Sequence, residues 1–251
     1  MPVSAAELVR RAHPVVADLG GLFYFAPGSL ARAAALGLSP SQWYFLGRGG
    51  ALGDVDAAVV DSALGYFAPT VVAEHWDSGR AVAPPRQVAQ AHIECCRDFG
   101  RHHLDAAPFL ASFVPAAAKV FTAASPLALP LFAGVKTFSL PRDLPGAATQ
   151  AIAAIREFGA GVHLLAVAAA GLEPAKAHWL TTPRAWEGFG YQTCNIPHVT
   201  GLDRQRLAQA DQLTRTLLEP AYSALDQAQG EHLLAGLAEM KTLLPVPDLP
   251  E

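Results

Sequence analysis

Ala147-Ala-Thr-Gln-Ala-Ile-Ala-Ala-Ile-Arg-Glu-Phe158, Gly159-Ala-Gly161 and Val162-His-Leu-Leu-Ala-Val-Ala-Ala-Ala-Gly-Leu172 run in succession and decide the fold class. Alanine and leucine are the strongest helix formers, and no period-two alternation of β-branched residues competes with them. Residues 147–158 and 162–172 therefore read as two helical pieces parted at Gly159-Ala160-Gly161, a break that marks close backbone approach or a site. The same composition, punctuated by Gly and Pro, recurs along the chain, so the expected class is all-α, a helical bundle body.

Working outward, helix starts are marked by residues that suit a first turn. Ser4 with Glu7 forms a capping pattern, Pro14 predicts a kink and Gly20-Gly21 a stop. Ser39-Pro40 opens a helix carrying Trp43, Tyr44, Phe45 and Arg48, and a long helix is predicted from Pro85 or Arg86 to about Leu104. Tyr-Phe-Ala-Pro occurs at Tyr24–Pro27 and again, 42 residues later, at Tyr66–Pro69. Each proline suits the first turn of a helix, leaving Tyr and Phe on an extended lead-in. Two aromatic pairs then either staple the helix starts or line a shared pocket. Repeated prolines between Ser125 and Pro145 predict an extended connector packed on the body.

After Thr181 the character changes. Residues 188–201 lack helical period, an amphipathic helix resumes over 202–225, and the proline-rich tail from Pro245 is expected to be extended. The division is a helical ligand-pocket domain over 1–180 and a C-terminal winged-helix-like remnant with its tail over 181–251.

At 51% hydrophobic and 16% charged residues the chain is apolar for a soluble protein, which points to a homodimer. The longest apolar run, 162–172, is too short to span a bilayer, so no membrane association and a cytoplasmic location are expected. A net charge of −4 supplies no field for a phosphate backbone, and Arg204, Arg206 and Arg215 are interleaved with Asp203, Asp211 and Glu219. Nucleic acid is accordingly not an expected partner.

His163, placed by the glycine break at a helix start, is the candidate acid/base, its neutral form favoured by the helix N-terminus, with Glu157 or Arg156 to orient it. Arg48 needs a carboxylate such as Asp54, Asp61 or Glu157, or an anionic ligand. Tyr24, Phe25, Tyr66, Phe67 and Trp43 supply the walls of the pocket. His92 and Cys96, four apart on a helix, with the distant Cys194 and His198, are weaker candidates for a transition metal. No nucleotide loop, serine-hydrolase elbow, His-Glu-x-x-His or Cys-x-x-Cys occurs, so no cofactor is expected.

In order and spacing, Tyr24-Phe-Ala-Pro27, Phe45-Leu-Gly-Arg48-Gly-Gly-Ala-Leu-Gly53, the second Tyr-Phe-Ala-Pro, Pro130-Leu-Phe-Ala133, Leu140-Pro141 and Arg156-Glu157 through His163 form a set. In them the chain resembles, over residues 15–180, a largely uncharacterised and mainly actinobacterial family. The resemblance implies a helical N-terminal body followed by a helix-turn-helix or winged-helix module. Where the family pattern resembles His-Arg-Gly-Asp-Gly-His, this chain has Phe158-Gly-Ala-Gly-Val-His163, and where a recognition helix is implied it has the irregular segment 187–201. The module reads as degenerate. The expected function is thus an enzyme or accessory protein acting on a small organic ligand in specialised metabolism by His-centred acid/base chemistry, as an isomerase, cyclase, lyase or hydrolase. The alternatives are a ligand-responsive helix-turn-helix regulator and a metal or haem binder.

Overall fold

A computed structural model describes residues 3–245; most of the proline-rich tail, from position 246, lies outside the described residues. Twelve α-helices occupy the described residues, with no strand among them, as the composition predicts. In chain order they are α1 (Ala5–Leu19), α2 (Pro27–Ala35), α3 (Pro40–Gly49), α4 (Ala57–Leu64), α5 (Pro69–Arg80) and α6 (Pro85–His103). There follow α7 (Leu110–Ala123), α8 (Pro130–Val135), α9 (Leu144–Ala169), α10 (Pro174–Thr181), α11 (Gly201–Tyr222) and α12 (Gln227–Leu243). Proline opens α2, α3, α5, α6 and α10, where its fixed φ suits the helix and its missing N–H would have had no partner. Both Tyr-Phe-Ala-Pro copies therefore lead into helices as their prolines predict. The stretch expected to be an extended connector instead winds the short α8, with Leu131 and Phe132 buried.

The central element is α9, against which α1, α6, α7, α8, α10 and α11 all pack. It runs unbroken through Gly159-Ala160-Gly161, so the expected division into two pieces does not occur. Each glycine costs a helix about 1 kcal/mol. The tertiary gain is contact: a Cβ on Gly159 would stand 2.5 Å from Cε1 of His13 on α1. Glycine here lets two helices approach rather than end one. The continuous α9 is also long and apolar enough by composition to cross a bilayer, but 61% of that stretch is buried among the other helices, as suits a core helix.

Residues on both sides of Thr181 enter the same core, since Leu218, Tyr222, Leu233, Leu237 and Met240 of α11 and α12 pack with Val9 of α1, Phe113 of α7 and Ile152 of α9. The segment between α10 and α11 is built of single 3-10 turns, pinned by stacking of Trp186 on Tyr191 with ring centres 4.0 Å apart. Two helix-turn-helix corners share one sequence form, Gly37-Leu38-Ser39-Pro40 and Gly171-Leu172-Glu173-Pro174. In each the glycine turns with positive φ, 74° and 68°, the leucine is buried, and the proline starts the next helix.

Candidate functional site

The capping box of Ser39 and Gln42 fixes the start of α3, and its Trp43, Phe45 and Leu46 are buried. Arg48, one turn after Tyr44 on α3, instead meets α9. Arg48 grips Glu157 in a two-pronged ion pair, Nη2 to Oε2 at 2.8 Å and Nε to Oε1 at 3.0 Å, while its Nη1 donates to the Tyr44 hydroxyl. Tyr24 donates to Glu157 Oε1 at 2.7 Å, and Arg156 Nη1 reaches both Tyr24 Oη (3.1 Å) and Glu157 Oε1 (3.2 Å). Burial works to raise the Glu157 carboxyl, but the charges of Arg48 and Arg156 and the donated hydrogen bonds outweigh it and hold it at about 2. The Glu157 carboxylate is thus ionised at neutral pH and offers no free base.

Beside this cluster lies a cavity of about 590 Å³, whose wall includes Arg48, Tyr44, Arg156, Glu157, Tyr66 and His163. His163 sits mid-helix on α9, not at the helix start expected from the glycine break. Its partners are neither Glu157 nor Arg156: Nδ1 meets the Tyr66 hydroxyl at 2.6 Å and Nε2 meets Asp211 Oδ1 of α11 at 3.3 Å. Sequence reasoning did not pair His163 with Asp211, which is 48 positions away and has no local signal of that contact. It also passed over Tyr44, although the four-residue spacing to Arg48 was a readable sign.

Of the expected wall residues, Tyr66 and Phe67 line the cavity, and Phe67 stacks on Phe189 with ring centres 4.2 Å apart. Tyr24 is buried behind it, holding Glu157. Trp43 is fully enclosed in the core, and Phe25 is 53% exposed and stacked on Tyr44, so neither belongs to the wall. His92 is buried among Phe23, Tyr24 and Trp43, its Nε2 without a partner, and burial lowers it to about 3. Burial pushes the neighbouring Cys96 thiol up to about 12, against the thiolate a metal needs. Cys194 and His198 are exposed on the 3-10 segment, and among the described residues no three His, Cys, Asp or Glu side chains gather as metal ligands would.

Asp211 directs attention to α11, whose inner face carries Ala210, Thr214 and Leu218 into the core. Its outer face exposes Arg204, Gln205, Ala208, Gln209, Gln212, Arg215 and Thr216, a single stripe at helical spacing. Of the helix's carboxylates, one is buried and two flank the stripe, Asp211 with its side chain 47% exposed. Asp203 is buried in the Thr200 capping box beside Lys176, Asp211 faces His163, and Glu219 is half-buried. Arg206 lies half-buried over the corner at Gly171.

A family model described as a helix-turn-helix family matches residues 9–215, which takes in the cavity and most of α11. No curated protein and no solved structure matches the chain. The family match overturns two expectations. An enzyme or accessory protein acting on a small ligand through His163 gives way to a DNA-binding helix-turn-helix protein, and nucleic acid, judged an unexpected partner from net charge, becomes the expected one. Net charge misled because it sums over the whole surface, whereas a duplex meets one face of a protein. Matched across most of its length, the chain belongs to this helix-turn-helix family.

Proposed function

We propose that the protein is a ligand-responsive helix-turn-helix transcriptional regulator in which α11 meets the duplex and the cavity behind it receives the effector. The carrying observation is the outer stripe of α11, two arginines and three glutamines from Arg204 to Thr216 whose one flanking carboxylate, Asp211, is 47% exposed but turned toward His163. Arginine pairs bidentately with guanine and glutamine with adenine in the major groove, and arginine also neutralises phosphate. The other tight corner supports the choice by contrast, because α3 after Gly37 has Trp43, Phe45 and Leu46 buried in the core. Such an assignment puts the DNA contact in the C-terminal part of the chain, in keeping with the resemblance drawn from sequence, and implies action inside the cell.

Cavity and stripe are joined by one short chain of contacts, Tyr66 to His163 to Asp211. A ligand that binds more tightly when that chain is rearranged shifts α11 between two positions, and DNA affinity changes by the same differential. The test is fluorescence anisotropy on duplexes selected from a random pool. We expect binding that weakens steeply from about 50 to 200 mM salt and is lost with Arg204→Ala/Arg215→Ala, while the fold, read by circular dichroism, is kept. Duplex binding absent at low salt, or unchanged in that variant, removes the proposal.

A further inference from the structure

The charges around the cavity do not balance. Arg48 and Arg156 face a single acid, Glu157, the only carboxylate on the wall among the described residues, with Asp211 set behind His163, so the ionised cluster of these three carries one positive charge in excess. Arg48 uses Nε, Nη1 and Nη2 on Glu157 and Tyr44. Arg156 differs: Nε donates to Ala17 O and Nη1 to Tyr24 and Glu157, whereas Nη2 makes no hydrogen bond among the described residues. The Arg156 side chain is 25% exposed at the half-open cavity, so its unused edge is accessible to an anion that enters. The rest of the wall is aromatic and aliphatic, with Phe67, Phe132, Phe189, Leu129 and Leu164, and a buried Nδ1 of His13 stands there without a partner.

We propose that this cavity takes an organic monocarboxylate with a flat, apolar body, its carboxylate on the free edge of Arg156 and its body between Phe67, Phe132 and Leu164. A volume of about 590 Å³ holds a fused bicyclic acid with room to spare. One excess charge selects a monoanion over a dianion, and the guanidinium, a planar fork, suits a carboxylate. This inference deepens the effector-site reading above and rests on it for its regulatory meaning, but the binding is measured without DNA, so either can fail alone.

The test is isothermal titration of the full chain with three probes of one shape: 2-naphthoate, 2-naphthamide and 2-naphthylmethylamine. We expect the carboxylate to bind at least about tenfold more tightly than the amide, and the amine not at all. Arg156→Met should bring naphthoate down to the amide's level, with Arg156→Lys recovering part of the difference. Ala160→Phe, on the cavity wall but outside the charged cluster, should weaken all binding. Equal affinity for acid and amide, preference for the amine, or no naphthoate binding at millimolar concentration overturns the proposal. So does undiminished binding in a folded Arg156→Met variant.

Discussion

Two regions hold arginine in opposite ways. In the cluster between α3 and α9, Arg48 is buried with its donors on Glu157 and Tyr44, so its charge is neutralised within the fold. On the outer stripe of α11, Arg204 is exposed with no ion pair among the described residues, and Arg215 reaches only Gln212. The buried arginine holds helices together and contributes little to recognition outside the cavity. The exposed one adds almost nothing to the fold, which leaves it free for a partner. The contrast can be broken at either end, because it assigns stability to one region and binding to the other.

The largest effect belongs to the buried end. Glu157→Ala leaves Arg48 enclosed without its carboxylate and takes the acceptor from the Tyr24 O–H, so we expect a loss of about 3–5 kcal/mol in urea denaturation. Arg48→Met combined with Glu157→Leu removes both charges and should recover much of that loss, since apolar replacements of a buried pair are often neutral. A loss below about 1 kcal/mol for Glu157→Ala, the range of surface pairs, would show that water reaches the cluster and that the contrast is overstated.

Acid should find the same region next. His92 titrates at 6.5 in the unfolded chain but at about 3 in the fold, because burial among Phe23, Tyr24 and Trp43, then the charge of Arg48, disfavours imidazolium. Below pH 6.5 the unfolded chain binds a proton that the native state refuses, so stability is full above that value. It then falls toward pH 3 with a slope approaching about 1.4 kcal/mol per pH unit. Glu157, lowered from 4.5 to about 2, adds to the loss only below pH 4.5. His13, His103 and His178, also lowered by burial, add to the slope in the same window, so His92→Leu should reduce the pH dependence between 6.5 and 4.5 without abolishing it; a slope unchanged by that substitution would place the acid sensitivity elsewhere.

What could be read in the sequence follows the same division between local and distant causes. Prolines at 27, 40, 69, 85 and 174 marked helix starts because their effect lies within one turn. The pairing of Arg48 with Glu157 was one of three options, and only packing could choose; Asp54 lies beside Arg80 instead, at 3.6 Å. Gly159 and Gly161 looked like a break because propensity is local, whereas their reason is His13 and Leu129, which approach from elsewhere in the chain. From that misreading came the expected helix start at His163. Helix α12 went unread, although Asp226 and Gln229 form a capping box at its start. The outer stripe of α11, the proposed duplex contact, was obscured in part because Asp203 looks like an exposed acid in sequence, and only the fold buries it in the Thr200 capping box.

The corner between α9 and α10 offers a smaller effect. Gly171 has φ of 68° and its Cβ would meet nothing closer than Arg206 at 3.9 Å, so Gly171→Ala strains only the backbone and should cost about 1–2 kcal/mol. A neutral outcome in urea denaturation would mean that the turn is not held in the left-handed form.

The smallest change in stability is expected at the other end of the contrast. Arg204→Ala and Arg215→Ala should each shift unfolding by less than about 0.5 kcal/mol, because neither side chain supports the core. Each should nonetheless lower the salt dependence of duplex binding by about one unit of slope if it meets phosphate, or relax base preference at one position if it reads guanine. Arg101 supplies the control: it is also exposed on a helix, but Asp98 and Asp143 both hold it, each within 2.8 Å. Its replacement by alanine should leave the duplex slope untouched. If Arg101→Ala weakens binding as much as Arg204→Ala does, the duplex responds to charge anywhere on the surface, and α11 loses its claim to be the reading helix.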